Sequence, residues 1–170
     1  MSGAPDRSSQ DHAEHRYRDY RLVNILDDPD SPLRKRVVEF WESNGVLPRD
    51  EAERRSTEVV YVILDPRGEP AGVSTVYSDA FRATGLPYYF YRMFIAPAHR
   101  IHGMMEHMTA MTRDFLRARN SASDQRHGGV VVITENPKLM RPGIKRRFRH
   151  IGFQHAGRNP AGLDIWVSEF

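Results

Sequence analysis

The residues best placed to do chemistry gather in RMFIAPAHRIHGMM, residues 92–105. An apolar run of strand character stops at Pro97. Two basic residues, His99 and Arg100, follow, then Gly103, then a methionine-rich run with helical spacing. A helix starting near His102 leaves its first backbone N–H groups without internal partners, and these groups and the helix dipole attract an anion. Gly103 lets a ligand come close to the backbone, and Arg100 adds positive charge. The stretch fits a phosphate site, although strand–turn–helix junctions are common. Other chemistries lack their patterns. His102, Glu106 and His107 do not form the His-Glu-x-x-His metal motif, and the one-turn spacing of His102 and Glu106 reads as a surface pair. There is no Gly-x-Ser-x-Gly elbow, dinucleotide fingerprint or Walker loop.

The junction must be held by its neighbours in the chain. YYFYRMFIA (88–96) is the strongest strand pattern, and HGMMEHMTAMTRDFLRAR (102–119) is the strongest helix. In that helix Met104, Met108, Met111 and Phe115 form one apolar stripe. Upstream, residues 20–27 read as a strand. Residues 30–45 read as a helix opened by Ser31 and Pro32 and stopped at Asn44-Gly45. A polar helix at 49–56 is capped by Asp50, and strands at 58–65 and 71–79 flank the turn PRGEP. Downstream, VVVITE (130–135) is a buried strand, and 141–152 is a short helix with Ile144, Phe148 and Ile151 inward. Residues 153–170 form a hairpin turning at NPAG. The order β-α-α-β-β-β-α-β-α-β-β predicts a mixed α+β domain. The unit from 88 to 135 predicts a parallel, right-handed crossover.

Composition narrows the function classes. At 170 residues with 39% hydrophobic residues the chain suits one domain, taken as 20–170, with 1–19 as a polar, flexible leader. No apolar run is long enough to span a bilayer, and the first residues carry no secretory signal. The absence of cysteine removes disulfides, thiolate metal sites and a cysteine nucleophile, and fits a cytoplasmic location. Of 25 cations only Lys35, Lys138 and Lys145 are lysine. Arginine suits phosphate and carboxylate partners, but a net charge of +3 is too small to argue for nucleic acid. Six cations on 138–150 read as the solvated face of an amphipathic helix, with an adenosine phosphate or a nucleic-acid backbone as alternatives.

YRMFIAPAHRIHGM, then VITENP, then FRHIGF resembles the ordered motifs of the GNAT superfamily of acyl-CoA N-acyltransferases. The resemblance covers roughly residues 20 to 170. Arg92, Phe94, Ile95 and Pro97 match the end of its central strand. Arg100-Ile-His-Gly103 matches its loop, Asn136 follows the next strand, and Gly152-Phe153 closes the last helix. It implies a twisted, mostly antiparallel mixed sheet flanked by helices, with a splay between the two central parallel strands. It also implies acetyl-CoA or another acyl-CoA as co-substrate and an amine of a small molecule, peptide or protein as acceptor. Backbone groups of Phe94 and Ile95 would grip the pantetheine arm. Amides of Arg100, Ile101, His102, Gly103, Met104 and Met105 would cradle the diphosphate, and Asn136 would contact the pantetheine region or hold the strands apart.

Two positions depart from that pattern. Met105 stands where the loop usually ends in Gly or Ala; it is tolerated if it joins the Met104/Met108 stripe, the alternative being that its side chain obstructs the diphosphate. Phe148 stands where a tyrosine general acid is common, and phenylalanine has no proton to give. Tyr91 is then a candidate acid, and Glu135 the nearest candidate base. Their plainer readings are a sheet tyrosine and a strand-end carboxylate. Tyr77, Asp79 and Arg82 are candidate acceptor contacts, with acceptor choice expected from 31–56 and the 79–88 loop. No metal is expected, and the terminal hairpin offers an edge on which a second copy could pair as a homodimer. The alternatives in function are a catalytically impaired CoA-binding or interaction module of the same fold, and a transferase acting with aminoacyl-tRNA or associated with nucleic acid.

Overall fold

A computed structural model describes residues 14–135 and 137–170. Eight strands form one sheet: β1 (Glu14–Tyr17), β2 (Tyr20–Asn24), β3 (Val59–Leu64), β4 (Pro70–Ala80), β5 (Pro87–Ile95), β6 (Gly129–Ile133), β7 (Gln154–Arg158) and β8 (Asp164–Glu169). Their spatial order is β1-β2-β3-β4-β5-β6-β8-β7. Every neighbouring pair is antiparallel except β5 and β6. The helices are α1 (Leu33–Ser43), α2 (Arg49–Ser56), α3 (Met104–Ser121) and α4 (Pro142–His150).

The two faces of the sheet follow from the alternation of side chains along each strand. Tyr91 and Ile95 of β5 pack with Met104, Met108 and Leu116 of α3 and Phe148 of α4 in one cluster. Phe94 faces the other way, into the cluster formed with Val37, Phe40 and Trp41 of α1. The methionine stripe is therefore what seats α3. Met104 and Met108 are fully buried, and Met111 and Phe115 pack on the cluster's border. A polar tie reinforces it: Ser74 of β4 and Thr112 of α3 share a hydrogen bond of 3.1 Å.

Local chemistry shifts several expected boundaries. Residues 14–17, expected within the leader, form β1, because a two-residue turn at Arg18-Asp19 folds them back on β2 with Tyr17 opposite Tyr20. The alternation Glu-His-Arg-Tyr is short and mostly exposed, so it carries little strand signal. Residues 1–13 lie outside the described residues. No side chain caps α1, and Ser31 contributes only its carbonyl, to Arg34 N–H at 3.0 Å. In α2 Pro48, not Asp50, holds the cap position, and Asp50 lies in the first turn, where it suits the helix dipole. The stop at Asn44-Gly45 forms as expected, with Gly45 at φ +64°. No helix among the described residues is long and apolar enough to cross a membrane.

Candidate functional site

The parallel pair at the centre is short. Tyr89, Phe90 and Tyr91 pair with Val130, Val131 and Val132, and there the pairing ends. β5 continues to Ile95 beside β4 alone. Ala96 N–H donates to Ala71 C=O at 2.9 Å, and Gly128 N–H donates to Pro87 C=O at 2.9 Å. The alternation of backbone groups then turns those of Phe94 toward β4, and those of Met93 and Ile95 toward the gap beyond β6. The backbone groups that face the gap are thus those of Met93 and Ile95, whereas the sequence reading expected Phe94 and Ile95 there. Ile95 C=O already accepts a 2.9 Å bond from Arg100 Nε. Ile95 N–H and both groups of Met93 form the remaining edge of the gap.

The loop after β5 delivers the first turn of α3 to the mouth of this gap. Pro97–His99 make a tight 3-10 turn. Ile101 C=O accepts from Met104 N–H at 3.3 Å, and Gly103, at φ +81°, caps the helix by backbone alone. No side chain caps these first amides, so the anion-binding potential of the helix start is intact. Gly103 is required twice over. Its φ is in the left-handed region, and a Cβ there would collide with the Tyr17 hydroxyl. Tyr17 O–H donates to His102 C=O at 2.9 Å, and Tyr20 O–H and His99 Nδ1 are 3.0 Å apart. The β1–β2 hairpin therefore walls the cradle, a contact that sequence reasoning missed because it joins residues 85 apart.

Met105 does not join the buried stripe. It follows fully buried Met104 by one residue, about 100° around the helix, and is only half-buried. Its carbonyl accepts from Thr109 Oγ1 at 2.8 Å. His102 is exposed, and Ile101 packs on the core beneath the loop. Glu106 pairs with Arg147 of α4 at 3.0 Å, not with His102. The Tyr17 ring lies 4.5 Å from that of His107.

Tyr91 is unsuited to the acid role. It is buried beneath α3 with its hydroxyl 3.3 Å from Thr109 Oγ1, and burial pushes its phenol up, further from giving a proton at neutral pH. Phe148 is a core residue, stacked on Trp166 at 5.2 Å. Glu135 stands exposed just past the end of β6, at the open end of the gap, with no ion pair among the described residues. Asn136 lies outside the described residues.

On the opposite face, at the apex where β5 and β6 part, Tyr77 stacks on Phe90 at 5.3 Å with the Arg92 guanidinium 4.5 Å above its ring. Arg92 pairs with Glu58, and Glu58 also holds Arg54 at 2.9 Å. Burial, with Arg55 nearby, presses the Arg92 guanidinium below its ordinary value, against the pull of Glu58. Glu58 and Arg92 meet because β3 and β5 both flank β4, a pairing that no local spacing reveals. Asp79 lies two residues past Tyr77 on β4 and pairs with Tyr88, seven residues from Ile95 along β5, or about 23 Å from the α3 end of the strand. Arg82 is exposed in the β4–β5 turn at that far end.

The cations of 138–150 are partly engaged. Lys145 and Arg147 are in ion pairs with Asp164 and Glu106. Asp164 is fully buried and also receives His155 and Arg158. The Lys145 ammonium first, then His155 and Arg158, hold its carboxyl well below the usual carboxylate range, outweighing burial.

No family model matches the sequence, and no curated protein matches it. Solved structures do match the fold. The GNAT domain of S. lividans PAT is 16% identical with a TM-score of 0.62, over 93% of this chain and 96% of that one. A GNAT-family acetyltransferase from Listeria monocytogenes is 14% identical with a TM-score of 0.59, over 92% and 99%. AtaTR bound with acetyl-CoA is 13% identical with a TM-score of 0.57, over 88% and 94%. The strand order, the short parallel pair and these matches together show that the chain has the GNAT fold.

Proposed function

We propose that the protein is an acyl-CoA-dependent N-acyltransferase, with acetyl-CoA the first donor to test. The observation that carries this reading is the uncapped start of α3 behind Gly103, set at the end of a strand whose edge opens after Tyr91. A diphosphate suits the amides of Gly103, Met105 and Glu106. The pantetheine arm suits the edge of Met93 and Ile95, as an added strand would. First amides of α3 with no side-chain cap and an unpaired strand edge beyond Tyr91 are what such a ligand needs, so the residues present fit it.

The co-substrate supplies an activated thioester. The chain positions it and the amine, a contribution that reaches about 7–11 kcal/mol in well-oriented reactions. The amine nitrogen bonds to the acyl carbon, the carbon–sulfur bond breaks, and the sulfur leaves as a thiolate that takes a proton. The nitrogen must lose a proton, and Glu135 is the proposed base, because it is the exposed carboxylate at the open end of the gap. Glu58 is the poorer candidate, since its carboxylate is already engaged by Arg92 and Arg54. The Tyr77–Arg92–Glu58 cluster is the proposed acceptor wall, and no tyrosine or cysteine takes part in the bond changes.

The direct test is release of free thiol from acetyl-CoA with a panel of amines. Turnover with at least one amine is expected, and Glu135→Gln lowers kcat by about 10²-fold with coenzyme A affinity unchanged. Core-packed Phe148, which leaves no acid at that position, favours a second reading: a coenzyme A-binding module without turnover. Retained binding with silence across the panel selects that reading.

A further inference from the structure

The β1–β2 hairpin carries cations for which the acyl-transfer reading has no use. Its turn lies at the cradle end of the sheet, since Arg21 pairs with Leu64, the adjoining strand begins at Pro70, and Gly72 pairs with Ile95. Tyr17 and Tyr20 pin it to His102 and His99. An open concavity of about 450 Å³ beside the turn is lined by Arg16, Arg18 and Arg21, with Asp19, Asp65 and Pro66. Asp65 accepts from the amides of Arg67 and Glu69, each at 2.9 Å. Arg16 and Arg21 share Glu14, at 3.9 and 3.4 Å.

Arg18 differs from both. It is exposed and has no ion pair among the described residues, and its guanidinium carbon lies 5.8 Å from the centroid of the Tyr17 ring that covers Gly103. It also holds φ +54° at the first central position of a two-residue hairpin turn, a place that favours glycine. An unpaired guanidinium is therefore kept beside the cradle on a backbone position where glycine would be more comfortable.

We propose that Arg18, helped by Arg16 and Arg21, binds the ribose 3′-phosphomonoester of coenzyme A. The inference rests on the acyl-CoA reading. In that ligand the diphosphate joins the pantetheine arm to the nucleoside, so an arm running into the gap leaves the nucleoside outside the mouth, where the hairpin stands. A phosphomonoester carries nearly two negative charges, and guanidinium forks match its oxygens.

Calorimetric titration with coenzyme A and with 3′-dephospho-coenzyme A tests this on the full chain, with Arg18→Gly and an Arg16→Ala/Arg21→Ala double variant. The wild type is expected to prefer coenzyme A by about tenfold. Arg18→Gly reduces that preference to within about threefold while leaving the thermal midpoint equal or raised, because glycine suits the turn. Equal affinities in the wild type, or a preference that survives in both variants, overturns the inference and leaves the acyl-CoA reading standing. Failure of the wild type to bind either ligand defeats the acyl-CoA reading and this inference with it.

Discussion

Gly103 is the residue on which the cradle depends. Its φ of +81° and the Tyr17 hydroxyl exclude a side chain from either direction. Gly103→Ala is expected to destabilise the fold by about 1–3 kcal/mol, read by urea unfolding, and to abolish coenzyme A binding at concentrations that saturate the wild type. A variant as stable as the wild type that still binds would remove the cradle from the account. The motif around Gly103 was legible because its chemistry is local: a strand, a turn and a helix start read consecutively. Tyr91 and Phe94 were misjudged for a different reason. Alternation gives a residue's face, but which neighbour its backbone meets and how deep its side chain lies depend on the register with β4 and on α3 above it. Glu58 and Arg92 were invisible as a pair, since two strands and a shared neighbour separate them.

Among the elements, long periodic segments were the most legible. The α3 stripe, the buried β6 and the α4 face of Ile144, Phe148 and Ile151 all pack as their spacing predicts. β1 was hidden by its brevity and exposed polar residues. The terminal hairpin was legible as a hairpin, but not its placement: β8 inserts beside β6 and leaves β7 at the sheet edge. That placement is locked by Asp164, which ties β8 to Lys145 of α4 and to His155 and Arg158 of β7. Asp164→Asn is expected to lose about 2–3 kcal/mol at pH 7, because Lys145 and Arg158 lose a buried ionic partner and His155 loses a hydrogen-bond partner. The folded carboxyl lies below its unfolded value of about 3.9, so its contribution is complete above that pH and declines as pH falls through the folded value. The gap between wild type and variant should therefore narrow below about pH 4 in acid-unfolding curves. A gap unchanged down to pH 2 would deny Asp164 this role.

At the scale of the molecule, two layers of helices hold a sheet whose central pairing is short. Three residues of parallel ladder join β5 to β6, and past them the strands have no mutual bonds to give up when a ligand enters. The order of elements predicted the mixed sheet and its parallel crossover, the resemblance implied the opening between the central strands, and the solved structures that match at 13–16% identity share the fold. The central claim is that the opened edge of β5 and the first amides of α3 hold one ligand together. Amide hydrogen exchange with and without coenzyme A measures this most directly. Added protection at Met93 and Ile95 together with Gly103, Met105 and Glu106 is the predicted result. Saturating ligand that protects neither segment, or protects the α3 amides while Met93 and Ile95 exchange as before, would contradict it.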